Sequence, residues 1–442
     1  MYGFGQMIEI LNKNPKKIVF TDNILKCTQM KTQVIYLLLL ASVFFCCSED
    51  SDDPNVAKKL EKIDLSESEV QVNAQVQDFS FDFFQEFSKE RKDQTNYIVS
   101  PLGVSYVMGM ALNGASGETY DQIQNTLGFS GYSNQSINQY MQTMRVALSD
   151  IDNTTTFINT NSLWLGHGLN FLSDFKKVNQ TYYNAVLKDN QPFNSSTADE
   201  INAWCEEQTK GVISKFVEPD EISGLKALLL NTLYFKGKWK YPFEISNTKD
   251  KLFTLGDNNL TKVPMMCKKV KLQCVSNEEV TLVSLPYGNG AFAMQVFMPT
   301  DKEIGINDFL AGLSVEKWNQ WIQESQLYRV DLSLPRFRVD FEDKNLKEVL
   351  EELGIKSAFT SNADFSKMSD ASLFLSWLKQ RSIIEVDEVG TVVTTVTGTG
   401  MDSAADPNEP LQVVFNRPFA FMISETTTGT ILFAGKVGNP AL

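Results

Sequence analysis

Histidine, the side chain most often used to move protons near neutral pH, is nearly absent from this chain. Its one histidine among 442 residues, His167, sits in Leu-Gly-His-Gly-Leu and reads as a loop residue between glycines. General-base catalysis, Ser-His-Asp triads and most zinc centres lean on histidine, so the composition argues against a hydrolase. Six cysteines, Cys27, Cys46, Cys47, Cys205, Cys267 and Cys274, make neither a disulfide scaffold nor the paired CxxC sets of a zinc site. Cys205, Cys267 and Cys274 read as ordinary small residues, and no metal or cofactor is implied. The more suggestive chemistry is done to the chain rather than by it. From Thr391 to Met401 every residue is threonine, valine, glycine or methionine, so nothing there forbids a place inside a sheet. The first charge is Asp402 and the first proline Pro407. A segment that can enter a central strand, followed at once by one that cannot, suggests a chain meant to be cut there.

The elements around that segment are helical early and stranded late. Val76, Phe79, Phe83, Phe84 and Phe87 fall at three- and four-residue spacing and predict an amphipathic helix over 76–90. Ser100-Pro101 opens a helix over 102–112 that ends at Asn113-Gly114. Thr197 with Glu200 has the form of a capping box for a helix over 197–209. Strands are predicted at 227–235, 282–286, 292–298, 330–337, 373–378, 383–386, 419–424 and 430–437, the last two joined by a hairpin turn at 425–429. Continuous apolar strands such as Ala-Leu-Leu-Leu imply a sheet covered on both faces, hence an α+β domain without an internal linker. The formal net charge of −14 argues against nucleic acid or an anionic membrane as partner.

Lys31 precedes an apolar run over 34–47 that is too short to span a bilayer comfortably and suits a signal peptide. It ends at Cys46-Cys47 before Ser-Glu-Asp-Ser-Asp-Asp-Pro. This resembles a bacterial lipoprotein signal with Cys47, or alternatively Cys46, as the lipid anchor, and the acidic string resembles a tether for export to a Gram-negative cell surface. The expected division is 1–29 as an upstream extension, 30–47 as signal, 48–66 as acidic tether and 67–442 as the folded domain. A plain secretory signal is the alternative, giving an extracellular protein.

Ordered motifs over about 370 residues resemble the serpins. They include Asn96-Tyr-Ile-Val-Ser-Pro101, Asn231-Thr-Leu-Tyr-Phe-Lys-Gly-Lys-Trp239, Leu285-Pro-Tyr287, Leu334-Pro-Arg-Phe337, Asp387-Glu-Val-Gly-Thr391, Phe415-Asn-Arg-Pro-Phe419 and Leu432-Phe-Ala-Gly-Lys-Val437. The resemblance implies about nine helices around three sheets, with an exposed reactive-centre loop that a protease attacks. The cut loop then inserts into the main sheet and traps the acyl-enzyme. It implies a hinge at Glu388, Gly390, Thr391 and Val393, with Thr391, Val393, Thr395, Thr397 and Thr399 facing inward after insertion. It implies a breach of Trp239 and Arg336, with Arg336 pairing to Glu388, and a shutter of Ser100, Asn231 and Gln380. The pattern departs at Gly103, where the family has a serine, at Gln380, where it has a histidine, and in a hinge of valines and threonines where inhibitory members have alanines.

The family's spacing from Glu388 gives a scissile bond Ala404–Ala405. The stretch before Phe415 is long, and counting back from it points nearer Pro407; Met401, Asp402 and Asp406 are the other candidates. No Lys or Arg lies between Thr391 and Phe415, which disfavours trypsin-like targets. Elastase-like, subtilisin-like or chymotrypsin-like serine proteases are expected partners, with papain-like cysteine proteases as an option. The expected protein is a monomeric inhibitor rather than an enzyme, meeting a membrane only through its lipid; the alternative is a non-inhibitory serpin acting as a binding or carrier protein.

Overall fold

The computed structural model describes residues 58–376, 378–391 and 409–442. The expected scissile residues Met401, Asp402, Ala404, Ala405, Asp406 and Pro407, the hinge residue Val393, and Cys46 and Cys47 therefore lie outside the described residues.

Ten α-helices are described. Helix α1 spans Glu67–Glu90, with Ser66 and Glu69 closing a capping box at its start, so it begins well before the apolar stripe predicted from 76. Val76, Phe79, Phe83, Phe84 and Phe87 are all buried, as their spacing requires; each is worth about 1.5–3 kcal/mol. Helix α2, Pro101–Leu112, is buried on every side, and the Ser100 hydroxyl caps it by accepting from the Gly103 amide. The helix Ser195–Gln208 starts earlier than expected: Asn194 accepts from the amides of Ser196 and Thr197, which places Thr197 inside the first turn rather than at the cap.

The strands in chain order are β1 Asn96–Val99, β2 Thr155–Gly166, β3 Val186–Gln191, β4 Ala227–Lys238, β5 Lys249–Thr254, β6 Leu260–Ser276, β7 Val280–Pro286, β8 Phe292–Pro299, β9 Gln326–Pro335, β10 Phe337–Asp343, β11 Gln380–Val386, β12 Gly390–Thr391, β13 Leu411–Val414, β14 Phe419–Glu425 and β15 Ile431–Val437. A six-stranded sheet runs β10-β11-β12-β4-β2-β3, and a nine-stranded one runs β1-β15-β14-β8-β7-β6-β9-β13 with β5 on β6. Three sheets are implied by the resemblance, but the hydrogen bonding is continuous across two of them. The 17-residue β6 carries the join, pairing with β5 and β9 along most of its length and with β7 at its end.

Two strand expectations need correction. The stretch 373–376 is not a strand: Leu373, Leu375 and Leu378 are buried, but the Leu375 amide donates to Ala358 O in a loop. Its alternation reflects packing on the core without a ladder. The expected strand 330–337 is broken at Arg336, whose amide donates across to Pro264 O as the chain leaves β9 for β10 in the other sheet. That crossover brings the Arg336 side chain to Glu388.

Candidate functional site

The two-residue strand β12 lies inside the six-stranded sheet, between β11 and β4. Val386 pairs with Thr391 on one side, and Gly390 and Thr391 pair with Lys238 and Gly237 of β4 on the other, both antiparallel. β11 and β4 thus run parallel to each other with a wedge between their ends. Beyond Thr391 they share no pairing among the described residues. A small cavity of about 20 Å³ lies there, lined by Leu233, Phe235, Ile383 and Ile384 among others. Backbone N–H and C=O groups on facing strand edges are a template for another strand.

A tight turn over 387–390 delivers the chain into the wedge. The Asp387 carboxylate accepts from the amides of Val389 (2.8 Å) and Gly390 (3.0 Å), and the Asp387 amide donates back to Gly390 O. Gly390 is required by space: a Cβ there would lie 2.2 Å from Gly237 O. Trp239 holds the outer rim, its indole N–H donating to Asp387 O at 2.8 Å and its amide to Val389 O. Its ring stacks on Tyr287 with centroids 4.4 Å apart. The Tyr287 hydroxyl and the Thr391 hydroxyl share a 2.7 Å hydrogen bond inside the sheet. Burial pushes the Tyr287 phenol far above its ordinary range, so it stays neutral.

Glu388 is buried although charged, its side chain only 5% exposed. Arg336 Nη2 donates to Oε1 at 2.6 Å, and Thr248 Oγ1 donates to the same oxygen at 2.5 Å. Burial pushes the carboxyl up, but the hydrogen bonds from Arg336 and Thr248 outweigh it and hold it below its ordinary 4.5.

Beneath the sheet, Gln380 embraces the start of α2. Its Oε1 accepts from Ser100 N at 2.6 Å and its Nε2 donates to Ser100 O at 3.2 Å, while Ser100 Oγ donates to Leu432 O. The amide's two faces thus occupy one residue's backbone. Asn231 Nδ2 donates instead to Asn159 and Asn161 of β2, and its Oδ1 is buried without a partner. A Cβ on Gly103 would lie 2.6 Å from that oxygen and 2.6 Å from Leu233 Cδ1, so a serine at 103 requires these side chains to shift before it could supply the missing donor.

The structure therefore gathers Trp239, Arg336, Glu388, Gly390 and Thr391 at one end of the wedge, and Ser100, Asn231 and Gln380 beneath it. Sequence reasoning missed Thr248 and Tyr287 as partners of the hinge; Leu-Pro-Tyr287 was visible as a motif, whereas Thr248 carries no signal at all. His167 is exposed in a turn, in keeping with a loop.

A family model described as Serpin (serine protease inhibitor) matches residues 74–440. The chain is a serpin. A serine protease inhibitor from Cyanea capillata is 31% identical over 358 residues, covering 79% of this chain and 93% of the relative. The Bos taurus leukocyte elastase inhibitor is 30% identical over 373 residues, covering 82% and 97%. Among solved structures, the native state of the thermophilic serpin tengpin superposes with a TM-score of 0.77 at 27% identity, over 86% of this chain and 97% of that one. Human thyroxine-binding globulin complexed with its hormone gives 0.75 at 26%, over 84% and 99%. Membership makes this serpin a protease inhibitor by kind and not an enzyme.

Proposed function

We propose that this serpin is an irreversible, suicide-type inhibitor of elastase-like or subtilisin-like serine proteases, cut within 401–407 with Ala404–Ala405 as the leading bond. The observation that carries the reading is β12, seated between β4 and β11, which share no pairing below it among the described residues. Extending the observed register sets residue 392 against Glu385, and Thr397 against both Gln380 and Asn231. No loop residue from Thr391 to Met401 carries a charge into that interior. About ten new main-chain hydrogen bonds at roughly 1 kcal/mol net each would supply on the order of 10 kcal/mol. The uncut form is thus held short of its most stable arrangement, and Arg336, Glu388, Thr248 and Tyr287 form the restraint at the hinge.

Incubation with elastase, subtilisin, trypsin and papain tests the reading. A denaturant-stable complex with elastase or subtilisin is expected, and the mass of the released C-terminal peptide identifies the bond. Cleavage by every protease without trapping would overturn it. We also propose, from the sequence, that Cys47 carries a lipid that anchors the domain at a Gram-negative cell surface. Palmitate labelling that persists in a Cys47→Ser variant would refute that assignment.

A further inference from the structure

The basic residues of this acidic chain are not evenly spread. The register of β6 on β9 sets Cys267 opposite Ser333, Lys269 opposite Asp331 and Lys271 opposite Arg329, so these residues share one face. Lys251 of β5 joins the same face, its Nζ 3.2 Å from Cys267 Sγ and 3.3 Å from Ser333 Oγ. Along the paired strands the face gathers Lys251, Lys269, Lys271 and Arg329 with one carboxylate among the described residues, Asp331, and Glu409 just before β13, in a protein of net charge −14. Asp331 is already engaged, 3.7 Å from Lys269 and accepting from Gln412 at 3.2 Å. Lys271 and Arg329 stand directly across the ladder from each other, with no hydrogen bond or ion pair to either among the described residues. Like charges in that arrangement repel, and an approaching anionic surface relieves the repulsion.

The position says which surface approaches. β13 pairs in parallel with β9, Leu411 against Val330 and Gln412 against Asp331, so this face borders the strand by which the reactive segment rejoins the body. The chain entering β13 at Leu411, paired with Val330, therefore begins beside Arg329.

We propose that Lys251, Lys269, Lys271 and Arg329 form a secondary docking surface for a protease with an acidic surface beside its substrate cleft, so that encounter is steered electrostatically toward the loop. The proposal rests on the inhibitor reading above, but it concerns encounter and not trapping. Steering by complementary charge acts on the association rate, by about 10- to 1000-fold, and is lost at high ionic strength. The test measures loss of intact inhibitor, which counts trapped and merely cleaved molecules alike and so reports docking even if trapping fails. Two probes are used, a subtilisin of strongly negative net charge and an elastase of strongly positive net charge, each from 25 to 500 mM salt. The double variant Lys271→Glu/Arg329→Glu is expected to slow attack by the acidic subtilisin about tenfold at low salt, fading at high salt, and not to slow the basic elastase. The milder Lys271→Ala/Arg329→Ala, checked for an unchanged melting midpoint, should show the same direction with smaller size. Equal rates for wild type and both variants with the acidic enzyme would overturn the proposal. So would unchanged rates in variants that had lost affinity for a heparin-fragment probe, which would make the face a polyanion site.

Discussion

Replacing Arg336 with alanine isolates the restraint on the hinge. The substitution strips one of the two side-chain donors from a carboxylate that is only 5% exposed, leaving Thr248 alone. A hydrogen bond to a buried charge is worth about 1.5–3 kcal/mol, but the Arg336 side chain is 44% exposed and water partly replaces it, so about 1 kcal/mol is the fitting figure. If that pair holds β12 at its two-residue insertion, the barrier to further insertion falls by the same amount, a roughly fivefold faster conversion of uncut protein to the inserted form. The assay holds uncut protein a few degrees below its melting midpoint and counts molecules that have become resistant to denaturant. Arg336→Lys should fall between wild type and Arg336→Ala. Acid supplies an independent arm. Because Glu388 titrates below its ordinary 4.5 when folded, its stabilisation is complete above that value and disappears as pH falls through the lowered one. Wild type should therefore convert faster below pH 4.5, with a shallower acid dependence in Arg336→Ala. Equal conversion rates at neutral pH would refute the restraint.

Other outcomes follow from the same contacts. Tyr287→Phe leaves the buried Thr391 hydroxyl without its partner and should lower stability by about 1–2 kcal/mol, read as a drop in melting midpoint and faster exchange of the Thr391 amide. Gly390→Ala drives a methyl into Gly237 O, an overpacking cost of about 1–3 kcal/mol; β12 should leave the sheet, and proteases should cleave more inhibitor molecules per complex formed. Gly103→Ser crowds Asn231 Oδ1 and Leu233 and should destabilise by a similar amount in denaturant titration, despite the donor it adds. Protein cut in the loop should melt far above intact protein, whereas an unchanged midpoint would indicate a carrier with a non-inserting loop.

Much of this serpin was legible in its residues because the relevant signals are local. The phenylalanine spacing of α1, Ser100-Pro101 before α2 and the apolar runs of β4, β8 and β14 each state a preference that the fold then satisfies. The Asp-Glu-Val-Gly-Thr turn is likewise readable, because an aspartate two and three residues before free amides and a glycine at the close approach are local signals. Strand β2, with two asparagines and three threonines among its apolar residues, was hidden by its composition; Thr160, Asn159 and Asn161 are accommodated by hydrogen bonds to Thr232, Asn231 and Tyr183 O.

The sequence by itself determined what could be inserted; the tertiary structure decided what holds it back and what stands beside it. Thr248 reaches Glu388 across 140 residues, Tyr287 reaches Thr391 across 104, and Lys271 meets Arg329 only through the register of β6 on β9. Such partners leave no spacing rule in the chain, because a hydrogen bond or a repulsion between charges depends on distances of a few ångströms in space, and only the packing of distant strands brings those groups within reach.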